Sequence, residues 1–97
     1  MKRLWLICFA VLSASAGAAD INKGRALFNS HCVACHGANG SGVLPGTPNF
    51  RQGQVLMRPD AALMDSVRTG RNAMPGFRGI LTDQQLLDVV AFLRILQ

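Results

Sequence analysis

Five consecutive residues constrain this chain more than anything else in it: Cys32-Val33-Ala34-Cys35-His36. Cys-x-x-Cys with a histidine at the next position is the attachment pattern of a covalently held haem. The spacing has a chemical reason. Thiols three residues apart can add to the two vinyl groups of one porphyrin edge, and the resulting thioethers tether the ring. His36 follows at once and can turn its imidazole under the iron as an axial ligand.

The amino-terminal residues supply the context. Lys2 and Arg3 precede an apolar run from Leu4 to Leu12, and a small-residue stretch ends in Ala16-Gly17-Ala18-Ala19. This is the layout of a secretory leader. An apolar run this short is no bilayer span, which takes about 20 residues. Cleavage is expected after Ala18 or Ala19, so residues 1–19 form the leader and residues 20–97 the domain. A cut after Ala19 leaves 78 of the 97 residues and removes Cys8, so that only Cys32 and Cys35 remain. A domain of that size buries little core unaided, and a covalent haem would add one large apolar body to it. Export also places the chain in the periplasm, where the thiols can be used for attachment. Lys2 and Arg3 leave with the leader, so 8 of the 10 basic residues then face 5 acidic ones. The formal charge of +5 is partly a property of the leader and gives no reason to expect nucleic acid.

The remaining pattern is all-α. Asn22 to Ser30 reads as a helix ending just before Cys32, capped by Asp20 or Asn22, with Leu27 and Phe28 on its apolar face. Gly37 to Gly53 is rich in Gly, Pro, Asn and Ser and reads as a long loop. Such a loop is unusual in a compact domain unless it wraps something. Pro59-Asp60 opens a second helix running to about Thr69, and Gly70 closes it. Thr82-Asp83-Gln84-Gln85 is a capping box at the head of a third helix. There Leu86, Val89, Val90, Leu93 and Leu96 form one stripe, and Leu87, Phe92 and Ile95 lie outside it. That surplus of apolar residues implies deep burial or a partner.

The nature of the site turns on the sixth coordination position of the iron, which separates electron carriage from the binding of gases or substrates. His31 is too near Cys32 to reach the opposite face and reads as an exposed residue beside the haem edge. Met57 lies in an apolar Val55-Leu56-Met57 run and suits core, as does Met64 within the second helix. Met74 sits in a glycine-bounded loop and precedes Pro75, which stiffens the backbone. It is the candidate distal ligand.

These residues together resemble the class I c-type cytochromes over nearly all of residues 20–97. Gly24 and Phe28 resemble that family's glycine and aromatic residue on its first helix. Cys32 to Gly37 resembles its haem motif, and Thr47-Pro48-Asn49-Phe50 its Gly-Pro-Asn-Leu segment. Gly70 with Met74-Pro75-Gly76-Phe77 resembles its methionine loop, and Leu81 to Arg94 its closing helix, with Phe92 at the aromatic position. The resemblance implies the cytochrome c fold, three to four short helices around one covalent haem c. It implies thioethers at Cys32 and Cys35, iron ligation by His36 and Met74, and a Pro48 carbonyl that accepts from Nδ1 of His36. It also implies that Gly24 lets the last helix cross the first closely at Phe92. The family's frequent Trp or Tyr near the propionates is missing, and Arg51 or Arg58 stands in.

The implied activity is one-electron transfer, not enzymatic turnover, with redox partner proteins docking transiently at the exposed haem edge. Arg51, Arg58, Arg68, Arg71 and Arg78 against Asp60 and Asp65 would steer an acidic partner. Neither nucleic acid nor a membrane span is expected, and the sequence does not give the oligomeric state. Three rivals remain: an electron-entry subunit of a periplasmic dehydrogenase or reductase, a gas-binding haem protein with an open sixth position, and a zinc or thioredoxin-like Cys-x-x-Cys site. For the last, a zinc needs four ligands and only Cys32, Cys35, His36 and the adjoining His31 are near, while a thioredoxin-like site needs a βαβ pattern that is absent.

Overall fold

A computed structural model describes residues 17–96. The expected leader therefore lies outside the described residues except for its last three positions. Four α-helices follow in order: α1 (Ile21–His31), α2 (Val33–His36), α3 (Asp60–Thr69) and α4 (Asp83–Arg94), with a 3₁₀ turn at Gly53–Leu56 between α2 and α3. Among the described residues there is no strand, only isolated bridges at Arg71–Met74 and Arg78–Leu81. No described helix is long and apolar enough to cross a membrane.

Local chemistry explains the helix ends. Asp20 caps α1, its carboxylate accepting from the Lys23 amide at 3.0 Å. Thr82 and Gln85 form both halves of the capping box on α4: the Thr82 amide donates to Gln85 Oε1 at 2.9 Å, and the Gln85 amide to Thr82 Oγ1 at 3.1 Å. Pro59, in extended geometry, precedes α3, and Gly70 at φ 78° ends it. Replacing a capping hydroxyl costs about 1 kcal/mol. Thr82→Ala is therefore expected to lower the thermal midpoint of the haem-loaded protein by about 4–8 °C, read by circular dichroism.

The main packing pair is α1 against α4. Gly24 and Phe28 lie one turn apart and are both buried. A Cβ on Gly24 would fall on the Asp88 carbonyl and 3.0 Å from the Phe92 Cβ, so the two helices touch backbone to backbone here. Phe28 packs on Phe92 with ring centres 5.3 Å apart, and the Arg25 guanidinium lies over the Phe92 ring at 5.4 Å. On α4, Leu86, Val89, Val90, Phe92 and Leu93 are buried and Leu87 half-buried; just past its end Ile95 is exposed and Leu96 half-buried. Most of the helix's apolar surplus is thus spent inside the domain.

Arg94 anchors the end of α4 to the opposite side of the domain. It donates to the Leu56 carbonyl at 2.7 Å, to the Arg58 carbonyl at 3.0 Å, and to the Asp60 carboxylate at 2.7 and 3.0 Å. The 3₁₀ turn that Arg94 holds puts Leu56 in the core but leaves Met57 82 % exposed. The core role expected for Met57 is therefore corrected: one residue past the turn, its side chain points the other way.

Candidate functional site

Cys32 closes α1, and α2 carries the rest of the motif. The His36 amide donates to the Cys32 carbonyl at 2.9 Å, which winds the motif into one helical turn. The chain then folds back over it: the Gly42 amide reaches the His36 carbonyl at 2.8 Å and the Val43 amide the Cys35 carbonyl at 2.9 Å. Cys32 is buried and Cys35 half-buried, and no disulfide joins them. Burial, and then the neighbouring Cys35, pushes the Cys32 thiol up to about 11. The thioredoxin-like reading fails on the fold, since no βαβ unit is present among the described residues.

His36 is 6 % exposed. Its ring stacks on Phe50 with centres 4.8 Å apart and planes 24° apart, and Phe28 lies at 6.5 Å. Burial holds its pKa below the ordinary histidine value, so the imidazole is neutral and has a lone pair to give. Its Nδ1 is buried with no hydrogen-bond partner, so no bond joins it to Pro48. Pro48 itself lies on the fold-back loop, with its carbonyl 3.5 Å from where a Cβ on Gly42 would stand, next to the backbone of His36. An unsatisfied buried nitrogen costs about 1–3 kcal/mol, and a group left so in a folded domain points to a functional role.

Met74 is held by backbone. Its amide donates to the Arg71 carbonyl at 2.8 Å, and its carbonyl accepts from the Arg71 amide at 3.2 Å. The Phe77 amide ties the far side of the loop to the Val67 carbonyl at 3.0 Å. Gly70 admits no side chain here, since a Cβ would lie 2.6 Å from the Met74 carbonyl oxygen. The half-buried Met74 and His36 line one apolar cleft, together with Phe28, Cys32, Phe50, Val67, Val89 and Leu93. The other candidates lie elsewhere: Met57 is exposed, Met64 packs between the two halves of the core, and exposed His31 sits edge-on to Phe77 at 5.7 Å. The Cys32 thiol, a neutral imidazole and a thioether line one apolar cleft, and Cys35 stands beside His36 in the same helical turn; this donor set fits a haem.

The family model described as "Cytochrome C oxidase, cbb3-type, subunit III" matches residues 19–93. This chain belongs to the class I c-type cytochromes. Among its relatives, cytochrome c6 of Thermostichus vulcanus is 37 % identical over 94 % of this chain and 88 % of its own length. Cytochrome c6 of Pyropia yezoensis is 30 % identical over 95 % and 92 %. The crystal structure of cytochrome c6 from the diatom Phaeodactylum tricornutum superposes with a TM-score of 0.68 at 30 % identity, covering 77 % of this chain and 91 % of that one. The cytochrome has the cytochrome c fold, carries covalently bound haem c, and is an electron carrier, not an enzyme in its own right.

One residue of the site, Phe50, and one residue beside it in the fold, Asp88, carried no signal of their role in the sequence. Phe50 was quoted only as part of a segment, yet it is the stacking partner of His36. Asp88, at 2 % exposure, is more buried than His36. Its burial was signalled only by a carboxylate inside the apolar run from Leu86 to Leu93.

Proposed function

We propose that Cys32 and Cys35 hold the haem through thioethers, that His36 and Met74 are its axial ligands, and that the cytochrome works as a one-electron carrier in the periplasm after loss of residues 1–19. The observation that carries this reading is the shared apolar cleft of His36 and Met74, with Met57 and His31 turned away from it. When bound, the haem supplies a one-electron iron couple. The protein fixes both ligands on rigid backbone, so little has to move when the charge changes. Phe28, Val67, Val89 and Leu93 keep water from the cleft, and a soft thioether with apolar walls raises the potential. Nδ1 of His36 needs an acceptor to orient the ring and strengthen its donation, and the Pro48 carbonyl is the proposed one.

Docking is proposed to involve fewer arginines than the sequence count. Arg68 is paired with Asp65 and Asp83 at 3.4 and 3.0 Å, and Arg58 donates to Ser66 at 3.1 Å. Arg51, Arg71 and Arg78 are exposed, with no ion pair among the described residues. They are the cations proposed to steer an acidic redox partner to the haem edge.

The test is carbon monoxide added to the reduced, unaltered protein. No spectral change is expected; ready binding would mean an open sixth position and a ligand-binding haem protein. A second reading draws on the family description, which names an oxidase subunit. Size exclusion of native extract separates the two, since a free carrier elutes alone and a subunit with its complex.

A further inference from the structure

Asp88 lies on the face of α4 that crosses α1, and its carboxylate is enclosed. Oδ1 accepts from the backbone nitrogen of Asp20 at 2.8 Å and from Gln84 Nε2 at 3.0 Å. Among the described residues these are its side-chain hydrogen bonds, and it joins no ion pair. Both donors are neutral. A buried carboxylate is costly without a cation to match it.

Lys23 lines the same groove as Asp88 but forms no ion pair with it among the described residues; the junction of the expected leader lies closer, with the Asp20 nitrogen already on Oδ1. We propose that removal of the leader creates the counter-ion of Asp88: the new α-ammonium, on Asp20 or Ala19, pairs with the Asp88 carboxylate and completes the contact between α1 and α4. This rests on the reading of residues 1–19 as a cleaved leader. The cut is a hydrolysis by a leader peptidase: water adds across the peptide bond, the leader departs with a carboxylate, and the domain keeps an amine that is protonated at neutral pH. A cut after Ala19 turns the nitrogen now 2.8 Å from Oδ1 into the ammonium. A cut after Ala18 places it one residue earlier, about 3.8 Å along the chain, at the peptide whose carbonyl accepts from Gln84 Nε2 at 3.3 Å. The first position sets the charge directly on Asp88, and the second sets it at the Gln84 side chain that itself donates to Asp88.

The surrounding charges set the balance. A cation at the head of α1 opposes the helix dipole, and Lys23 lines the same groove as Asp88. Against these stand two carboxylates, Asp88 from α4 and Asp20 from the cap of α1; Gln84 and Gln85, also facing the groove or the terminus from α4, are neutral.

The test uses the exported, haem-loaded protein. Intact mass identifies the terminus, and the rate of amine acylation against pH titrates it. In the unaltered protein the α-amine is expected to titrate above its ordinary range of about 7.7–8.0, with acylation at neutral pH slowed about tenfold for each unit of rise. Asp88→Asn, and a form with Gly-Ser inserted between Ala19 and Asp20, should both return it to that range. The group's folded pKa is raised, so the stability advantage over Asp88→Asn should be full below the ordinary value and vanish as pH rises through the raised one. Equal titrations in the unaltered protein and Asp88→Asn would overturn the ion pair while leaving export intact. A haem-loaded protein that retains residues 1–19 would overturn the ion pair and the leader reading together, with electron carriage untouched.

Discussion

Met74→Ala yields a folded cytochrome whose reduced form binds carbon monoxide and whose potential falls. The fold is expected to survive because the loop is held by backbone: the paired bonds between Arg71 and Met74, and the Phe77 amide on Val67, involve no part of the Met74 side chain. What disappears is the thioether in the cleft shared with His36. Loss of a soft sulfur ligand favours Fe(III), and axial ligands command a span of about 0.8 V. A drop on the order of a hundred millivolts is the expected size, read by redox titration beside the carbon monoxide spectrum. Met57→Ala is the matched control, since that side chain is 82 % exposed and away from the cleft. An unchanged potential in Met74→Ala, without carbon monoxide binding, would remove Met74 from the iron.

The parts of the fold that could be read from the chain are those whose causes are local. Asp20 bonds three residues ahead and Thr82 and Gln85 bond each other, so the starts of α1 and α4 were legible from their caps. Pro59 and Gly70 bracketed α3 in the same way. The 3₁₀ turn at Gly53–Leu56 is too short to show a period, and so the direction of Met57 was missed. Phe50 reaches His36 only because its amide closes back on the Gly40 carbonyl at 2.8 Å. Asp88 meets Asp20 across 68 residues. The five arginines between residues 51 and 78 looked like one patch because the pairing of Arg68 with Asp83 joins α3 to α4, which no spacing announces. The haem motif and the methionine loop were legible because each is a short segment with its own local pattern, and Cys32, His36 and Met74 from the two line one cleft.

Gly24→Ala is expected to be the most damaging single-methyl change in the cytochrome. Two effects oppose each other. Alanine in a helix gains about 1 kcal/mol over glycine. The added Cβ, however, meets the Asp88 carbonyl and lies 3.0 Å from the Phe92 Cβ. The first obstacle is backbone of α4, so no rotamer change relieves it, and the helices must move apart along the contact that organises the core. Overpacking of a well-filled core costs about 1–3 kcal/mol, and a clash with fixed backbone belongs at or above the upper end. A net loss of about 2 kcal/mol or more would lower the thermal midpoint by about 8–16 °C, measured on the haem-loaded protein. Gly46→Ala separates crowding from backbone strain: it has a positive φ of 81° but nothing within 4 Å of the new methyl, so it should lose only about 1–2 kcal/mol. If Gly24→Ala proved the more stable of the two, the backbone contact between α1 and α4 would be wrong, and Asp88 would no longer sit where the new amino terminus can reach it.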